Sequence, residues 1–232
     1  MSVILALDSS TEACSVAISC NGEVIERYEV APQGHSKLLL PMVDSVLAES
    51  GKTIGDVDGI AFGCGPGGFT GLRICAGTVQ GLAFGADLPV LPVSSLEAMA
   101  QSALRLQVID ATAVCLPAFD ARMSEVYWGI YRAQGDMVES VRADCVSAPQ
   151  LLVDAIAEHE IVQGVGTGWG VASLDNIRHQ AKEIEFFPQA RDLLPRAAIN
   201  LENNLGINAC EVEPVYLRNE VSWEKRKRLR DR

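Results

Sequence analysis

The 232-residue sequence lacks most features that assign a chain to a specialised class. Its seven cysteines form no CxxC pair, so neither a zinc site nor a dithiol redox site is indicated. No apolar run approaches the ~20 residues that would span a membrane. The first residues, MSVILALD, have no basic segment ahead of the apolar ones, so we expect no secretory signal. These absences, with ordinary hydrophobic and charged fractions of 48% and 21%, predict a cytoplasmic globular protein with reduced thiols.

Histidine is also scarce, which limits the chemistry that can be assembled. The three histidines are His35, His159 and His179, and no two of them have the spacing of metal ligands. No Ser-His-Asp or Cys-His arrangement can be built from so few imidazoles. The sequence therefore predicts neither nucleophilic catalysis nor a histidine metal site.

Charge is distributed unevenly along the chain. The net charge is −11, but the last eight residues, KRKRLRDR, hold six basic groups and one acidic group. The rest of the chain therefore carries −16, and a body this acidic repels polyanions such as nucleic acid. The tail at 225–232 has two interpretations, contact with RNA or an acidic partner and a disordered solubilising terminus, and we favour the second.

The order of predicted strands and helices occurs twice along the chain. In each half a strand leads into an acidic turn, a second strand follows, and a hairpin returns as a third strand ahead of a helix. The predicted strands are Val3–Leu7, Ala13–Cys20 and Val24–Val30, then Ala113–Phe119, Glu125–Tyr131 and Met137–Val141. This repeat predicts an α/β protein of two lobes, residues 1–107 and 108–212. We expect the final helix, at about 192–204, to pack on the first lobe, and residues 213–232 to form an extended segment and basic tail.

A glycine-rich stretch, GCGPGGFTG at 63–71, follows the predicted strand Val57–Phe62 and precedes a predicted helix. So many glycines indicate a backbone that turns tightly and comes close to another group. Thr70 suits the N-cap of the helix, and a helix N-terminus with free amides attracts anions. The spacing matches neither GxGxxG nor GxxxxGK[ST]. A phosphate site and a simple packing loop therefore both stay open.

Hydroxyl and carboxylate side chains at the two acidic turns suggest a magnesium-phosphate site, because Mg²⁺ prefers oxygen ligands. A second glycine loop, GVGTGWG, adds a place where a nucleotide can approach the backbone. Together these features describe an actin-like ATPase architecture. The alternative is that Asp8 caps its own turn and that Arg122 neutralises Asp120 locally. The candidate nucleotide or phosphate ligands are Asp8, Ser9, Ser10, Thr11, Gly65, Gly67, Gly68, Asp120, Gly164, Gly166 and Gly168.

The helix predicted at 70–84 has hardly any polar face. Its side chains are mostly Leu, Ile, Val, Ala and Phe, and Gly77 and Gly81 lie four residues apart. A helix that is apolar all round has to be buried all round. Either the monomer covers it completely, or part of it contacts another subunit.

Six segments, in chain order, resemble one protein family. They are LALDSSTEACSVAI, HSKLLLPMVDSVLAESG, GCGPGGFTGLRICAGTVQGLAFG, PVSSLEAMA, FDARMSEVYW and PVYLRNEV. The family is TsaB, also called YeaZ, and the resemblance spans nearly the whole chain. It implies a duplicated actin-like ATPase fold (ASKHA, ribonuclease-H-like) in two lobes. It also implies a role in making threonylcarbamoyladenosine next to the anticodon of tRNA.

The resemblance further implies a scaffold without catalytic residues. In the family, the paralogue TsaD transfers threonylcarbamoyl from threonylcarbamoyl-AMP, and the small ATPase TsaE is the third component. The paralogue's metal-binding HxxxH falls on Ser95 and Met99 here, so we expect no metal and no required cofactor, with ATP or ADP entering only through the complex. tRNA contact is then indirect, and no membrane is involved. The runner-up hypothesis is a nucleotide-binding ATPase or phosphotransferase of the actin-like superfamily.

Family members associate as homodimers, and with TsaD, through helices of the first lobe. Those helices correspond to His35–Ser50 and Thr70–Phe84. The interface residues that the resemblance implies are Leu39, Met42, Val43, Val46, Leu72, Arg73, Ala76, Gly77 and Gln80.

Overall fold

Two five-stranded sheets, each with its own helices, make up the computed structural model, which describes residues 2–159, 162–171, 173–174 and 180–218. The first lobe contains β1 (Ile4–Asp8), β2 (Ala13–Cys20), β3 (Glu23–Val30), α1 (His35–Ser50), β4 (Gly59–Gly65), α2 (Phe69–Ala86), β5 (Val90–Ser94) and α3 (Ser95–Arg105). The second lobe contains β6 (Val114–Arg122), β7 (Glu125–Gln134), β8 (Met137–Ser147), α4 (Pro149–Ile156), β9 (Val162–Val165), β10 (Ala181–Glu183) and α5 (Leu194–Glu202). Short 3-10 helices lie at Ile54–Asp56, Thr167–Gly170, Ala190–Leu193 and Ala209–Glu211.

The two sheets have the same topology. The order is β3-β2-β1-β4-β5 in the first and β8-β7-β6-β9-β10 in the second. In each, the central strand pairs antiparallel with the hairpin on one side and parallel with the crossover strand on the other. The predicted duplicated actin-like fold is therefore confirmed.

Sequence periodicity explains the layers of the first sheet. β1 and β4 are continuous apolar runs and every residue of both is buried, as in parallel strands covered on two faces. β3 is the edge strand and mixes charged with apolar residues. Asn21 and Gly22 join β2 to β3, and both have the positive φ values, 54° and 85°, that a type I′ hairpin turn needs.

Two helices link the lobes, because each packs on the sheet of the other lobe. Leu96, Met99 and Ala103 of α3 are buried in the core of the second lobe with Phe119 and Tyr131. The segment from the 3-10 helix Ala190–Leu193 through α5 packs instead on the first sheet, where its buried side chains contact Ile4, Ala6 and Leu91. The helix expected at 192–204 thus lies against the first sheet, as Leu194–Glu202.

The glycine-rich stretch differs from its prediction. β4 continues to Gly65 and pairs with β5 up to Ser94, so the loop proper is only 66–68. α2 begins at Phe69 with Gly68 as its N-cap, and Thr70 lies inside the first turn. The prediction of Thr70 as N-cap is therefore wrong. By contrast, the N-cap of α3 is a serine hydroxyl: Ser94 accepts from the amides of Leu96 and Glu97 at 3.1 and 3.2 Å.

Two smaller differences remain. β8 runs to Ser147 rather than ending at Val141, and β10 was not predicted because three residues carry too little periodicity. No helix in the part of the chain that the structure describes is long and apolar enough to cross a membrane.

Candidate functional site

The acidic turn of the first lobe is closed by its own side chains. Asp8 ends β1 and is fully buried. Its Oδ1 accepts from the Ser10 amide at 3.0 Å and from the Ser10 hydroxyl at 2.9 Å. Burial raises the pKa of Asp8 to about 6, and the Ser10 hydrogen bonds only partly oppose that effect. The predicted alternative of a self-capped turn is what the geometry shows.

Gly63 is the residue that makes room for the Asp8 carboxylate. A Cβ at this position would lie 1.8 Å from Asp8 Oδ2 and 3.2 Å from Ser95 Oγ. The Ser95 hydroxyl is buried and has no hydrogen-bond partner in the described part of the chain. A desolvated carboxylate and an unpaired hydroxyl therefore share one small space behind β4.

The first glycine loop is filled by the chain itself. The Gly68 amide donates to the Ser10 carbonyl at 2.7 Å, and a Cβ on Gly67 would lie 2.2 Å from that same oxygen. Ser9 Oγ donates to the Gly71 carbonyl at 3.0 Å. A Cβ on Gly71 would lie 2.0 Å from the carbonyl oxygen of Ser9. The close backbone approach that the glycines permit is thus an approach to the Asp8 turn.

The remaining first-lobe candidates also have partners within the chain. Gly65 has φ +119°, which disfavours any side chain, and its open side faces the Val215 carbonyl. Thr11 Oγ1 accepts from the Ala13 amide at 3.3 Å, and the Thr11 carbonyl contacts His35 Nε2 at 2.8 Å. The structure brings the predicted first-lobe ligands together, but they contact one another.

The acidic turn of the second lobe has a different solution. Asp120 accepts from the Arg122 amide at 2.7 Å and pairs with the Arg122 guanidinium at 3.1 Å. Its side chain is 34% exposed, whereas that of Arg122 is 79% exposed. The local neutralisation considered as an alternative is therefore present. The Asp120 amide also donates to Thr167 Oγ1 at 3.3 Å, which links the turn to the second glycine loop.

Trp169 occupies the space beside the second glycine loop. A Cβ on Gly164 would lie 2.0 Å from the indole ring, whose Nε1 donates to the Leu116 carbonyl at 3.0 Å. Gly166 lies against the side chain of Met99, and Gly168 against Ala118. Sequence reasoning missed this role of Trp169, although a tryptophan inside a glycine loop was a signal that the loop packs around a ring.

One face of α2 is open to solvent. Phe69 and Phe84, near its two ends, are 58% and 73% exposed. Between them Gly77 and Gly81 are exposed, and a Cβ built on either would meet no described atom within 4 Å beyond its chain neighbours and the nearby backbone of α2. Complete burial of α2 within the monomer, one of the two sequence-based alternatives, is therefore wrong.

The predicted interface residues divide between this face and the core. Arg73, Gly77 and Gln80 are exposed. The other six are buried: Leu39, Met42, Val43, Val46, Leu72 and Ala76. Their burial leaves these six side chains little surface for a partner, and their place in an interface stays a prediction. Helical periodicity identified an apolar helix but not which of its sides faces the sheet.

Arg73 forms the centre of an exposed aromatic cluster on α2. Its guanidinium lies 3.6 Å over the Phe69 ring and 5.8 Å from the centre of the Tyr216 ring. Its Nε donates to Tyr216 Oη at 2.9 Å. The cation-π contacts fix three side chains that would otherwise be free at the surface.

The positions of the paralogue's metal ligands hold residues of another chemistry. Met99 is fully buried in the second-lobe core, and Ser95 supplies one unpaired hydroxyl. A thioether and a hydroxyl do not replace two imidazoles in an iron or zinc site, so these residues do not fit that metal. Elsewhere in the described chain, no three His, Cys, Asp or Glu side chains are grouped to hold an ion, and His179 lies outside the described residues.

Comparisons with known proteins place this geometry in a family. The family model of TsaD, tRNA N6-adenosine threonylcarbamoyltransferase, matches residues 27–164. The TsaB protein of Haemophilus influenzae is 41% identical over 230 residues, which cover 96% of each chain. The chain belongs to the TsaB family.

Further relatives agree with this membership. The TsaB protein of Escherichia coli is 40% identical over 96% of this chain and 97% of its own length. The solved structure of YeaZ from Pseudomonas aeruginosa is 43% identical, has a TM-score of 0.83, and covers 94% of this chain and all of that one. The TsaB relatives are named tRNA threonylcarbamoyladenosine biosynthesis proteins, and family membership assigns this chain a role in that biosynthesis.

Proposed function

We propose that this chain is a non-catalytic, cytoplasmic scaffold subunit for threonylcarbamoyl transfer to tRNA, with TsaD as its direct partner and TsaE as third component. The observation that carries the proposal is the open face of α2. Glycines in its middle let another backbone approach closely, and exposed aromatic side chains lie at its two ends. Such a patch on an otherwise well-packed lobe is typical of a protein interface.

The residue types on this face are those that contribute much of the binding free energy at protein interfaces. Arg and aromatic side chains are enriched among residues that dominate binding. Arg73 is already held between Phe69 and Tyr216, so little side-chain entropy is lost when a partner covers it. A second copy and TsaD would use the same face, so homodimer and heterodimer exclude each other.

The filled glycine loops favour assembly over catalysis. Gly67 and Gly71 approach the Ser9–Ser10 backbone, and Gly164 approaches Trp169. Asp8 is buried behind its own turn, and Ser10 already donates to its carboxylate. We therefore place the ATPase or phosphotransferase alternative second, and infer that ATP or ADP enters through the complex.

Charge supports an indirect relation to tRNA. The chain apart from its last eight residues carries −16, so it repels a polyanion unless a partner supplies the positive surface. The basic segment Lys225–Arg232 lies outside the described residues. Direct tRNA contact through that tail is a separate hypothesis. If tRNA is instead contacted through a partner, deletion of the tail should leave RNA binding unchanged.

Reconstitution tests the proposal. Purified TsaD and TsaE, tRNA and the threonylcarbamoyl donor are combined with and without this chain, and modified adenosine is measured. We expect product only when the chain is present, and no ATP hydrolysis by the chain alone. Equal product without the chain, or turnover of ATP by the isolated chain that Asp8→Ala abolishes, would contradict the proposal.

A further inference from the structure

The segment Glu213–Arg218, here called the C-terminal strap, leaves the first lobe and ends on the second. Its start is anchored where Val212 is buried in the first-lobe core and where Gln80 of α2 donates to the Ala209 carbonyl at 3.1 Å. From there it passes the end of β4, the first turn of α2 and the β6–β7 turn.

Contacts at the middle of the strap hold it to the first lobe. The Val215 amide donates to the Cys64 carbonyl at 2.7 Å, and the Val215 carbonyl covers Gly65. The next residue, Tyr216, accepts from Arg73 Nε at 2.9 Å and lies 6.0 Å from the Phe69 ring. Tyr216 is therefore part of the open α2 face.

Arg218 fastens the strap to the second lobe. Its Nη2 donates to the Ala121 carbonyl at 3.1 Å and forms an ion pair with Glu125, and its Nη1 lies 3.4 Å from Met123 Sδ. These groups lie at the end of β6, in the turn and at the start of β7, and the β6–β7 turn is taken here as residues 121–125, next to Asp120. The Arg218 side chain is 19% exposed and that of Glu125 is 37% exposed, so the guanidinium is shielded while the carboxylate is partly in solvent.

Only Leu217 separates the two attachments of the strap. Two residues of extended chain reach about 7 Å at most, so Tyr216 and Arg218 cannot both stay attached once the β6–β7 turn has moved away from α2 beyond that reach. A movement of that size must break the Arg218 contacts or withdraw Tyr216 from Phe69 and Arg73.

We propose that the C-terminal strap is a latch that couples the position of the β6–β7 turn to the α2 face, with Arg218 as its second-lobe fastening and Tyr216 as its first-lobe fastening. Because coupling is reciprocal, a partner that holds Tyr216 on α2 also stabilises the latched turn. The identity of that partner rests on the proposed function, whereas the latch itself is a property of the isolated chain.

Hydrogen exchange of the isolated full chain tests the latch. In Arg218→Ala we expect the Val215 amide to exchange at least tenfold faster, with β1 amides unchanged, and a smaller acceleration in Glu125→Gln. Arg142→Ala is the matched control, because it removes an arginine of the same lobe that stacks 4.6 Å over Trp128 and does not touch the strap. Equal Val215 protection in Arg218→Ala and Arg142→Ala would overturn the latch.

The coupling is tested from the opposite end. Tyr216→Ala should accelerate exchange of the amides at 122–125 severalfold, although none of them contacts the tyrosine ring, and unchanged exchange there would overturn the coupling. Failure of the proposed function can be told apart from failure of the latch. If the latch is correct, both exchange effects appear even when the chain is dispensable in reconstitution.

Discussion

The acidic turns of the two lobes occupy equivalent places in one repeated topology, yet they have opposite environments. Asp8 is fully buried, has a pKa raised to about 6 by burial, and accepts from Ser10 within its own turn. Asp120 is 34% exposed and pairs with Arg122. Duplication has therefore preserved the backbone path, while the chemistry at each strand end depends on what packs against it.

The segments that follow the crossover strands differ in the same way. After β4 comes α2, an 18-residue helix with an open face. After β9 the chain forms the 3-10 turn Thr167–Gly170, whose tryptophan packs back on Gly164. The first lobe thus has an open helix face at the point where the second lobe closes on itself.

The largest effect is expected where the first-lobe turn and its glycine loop meet. Gly71→Ala places a Cβ 2.0 Å from the Ser9 carbonyl oxygen, a backbone atom that cannot move aside cheaply. We expect a loss of about 3 kcal/mol in the free energy of unfolding, measured with urea. The matched control is Gly77→Ala in the same helix, where the Cβ meets nothing within 4 Å and alanine should stabilise α2 by up to about 1 kcal/mol. Equal effects of the two substitutions would mean that the loop is not packed on the turn.

Asp8→Asn tests whether burial destabilises the charged carboxylate of the first-lobe turn. A folded-state pKa of about 6 against 3.8 means that the folded chain binds more protons between these pH values, so stability falls as pH rises through that window. The difference corresponds to at most about 3 kcal/mol, and we expect Asp8→Asn to gain about 2 kcal/mol at pH 8 and nothing below pH 4. Urea unfolding across pH 4–8 measures this, and a pH-independent difference would contradict the assignment.

Gly77→Leu tests the open face of α2 directly. A leucine at Gly77 is too large for the close contact with a partner helix that we propose at this position, and it does not touch the lobe's own core. We expect homodimer affinity to fall at least tenfold, about 1.4 kcal/mol, in sedimentation measurements. Gln150→Leu adds the same side chain to an exposed position of α4 in the second lobe and should leave association unchanged. A dimer unaffected by Gly77→Leu would place the interface elsewhere.

The smallest effect is expected at the second-lobe turn. Asp120→Asn removes a partly exposed ion pair with Arg122, and such pairs contribute less than about 1 kcal/mol. Thermal unfolding should therefore hardly differ from that of the parent chain. A loss comparable to that of a core substitution would show that Asp120 has a structural role hidden by its exposure.

Local sequence signals predicted much of this fold. The bounds of α1 and β2 and the hairpin from β2 to β3 were correct because each depends on neighbouring residues alone. The repeat of strand order was also correct, since apolar runs and turn residues mark each strand.

What lies next to a residue could not be predicted in this way. The glycine loops indicated close approach but not to what, and only the packing of Ser9 on Gly71 and of Trp169 on Gly164 answers that. Six of the predicted interface residues are buried, which periodicity could not show because it does not reveal which side of an apolar helix faces a sheet. The strap contacts of Arg218 join residues 93 or more positions apart, beyond any local pattern.

One reconstitution compares the two first-lobe features most directly. Threonylcarbamoyladenosine formation by TsaD and TsaE is measured with the parent chain, with Gly77→Leu and with Asp8→Asn. A scaffold acting through α2 predicts that Gly77→Leu lowers product at least tenfold while Asp8→Asn supports the parent yield. Full activity of Gly77→Leu together with loss of product in Asp8→Asn would contradict the account and point to chemistry at the Asp8 turn.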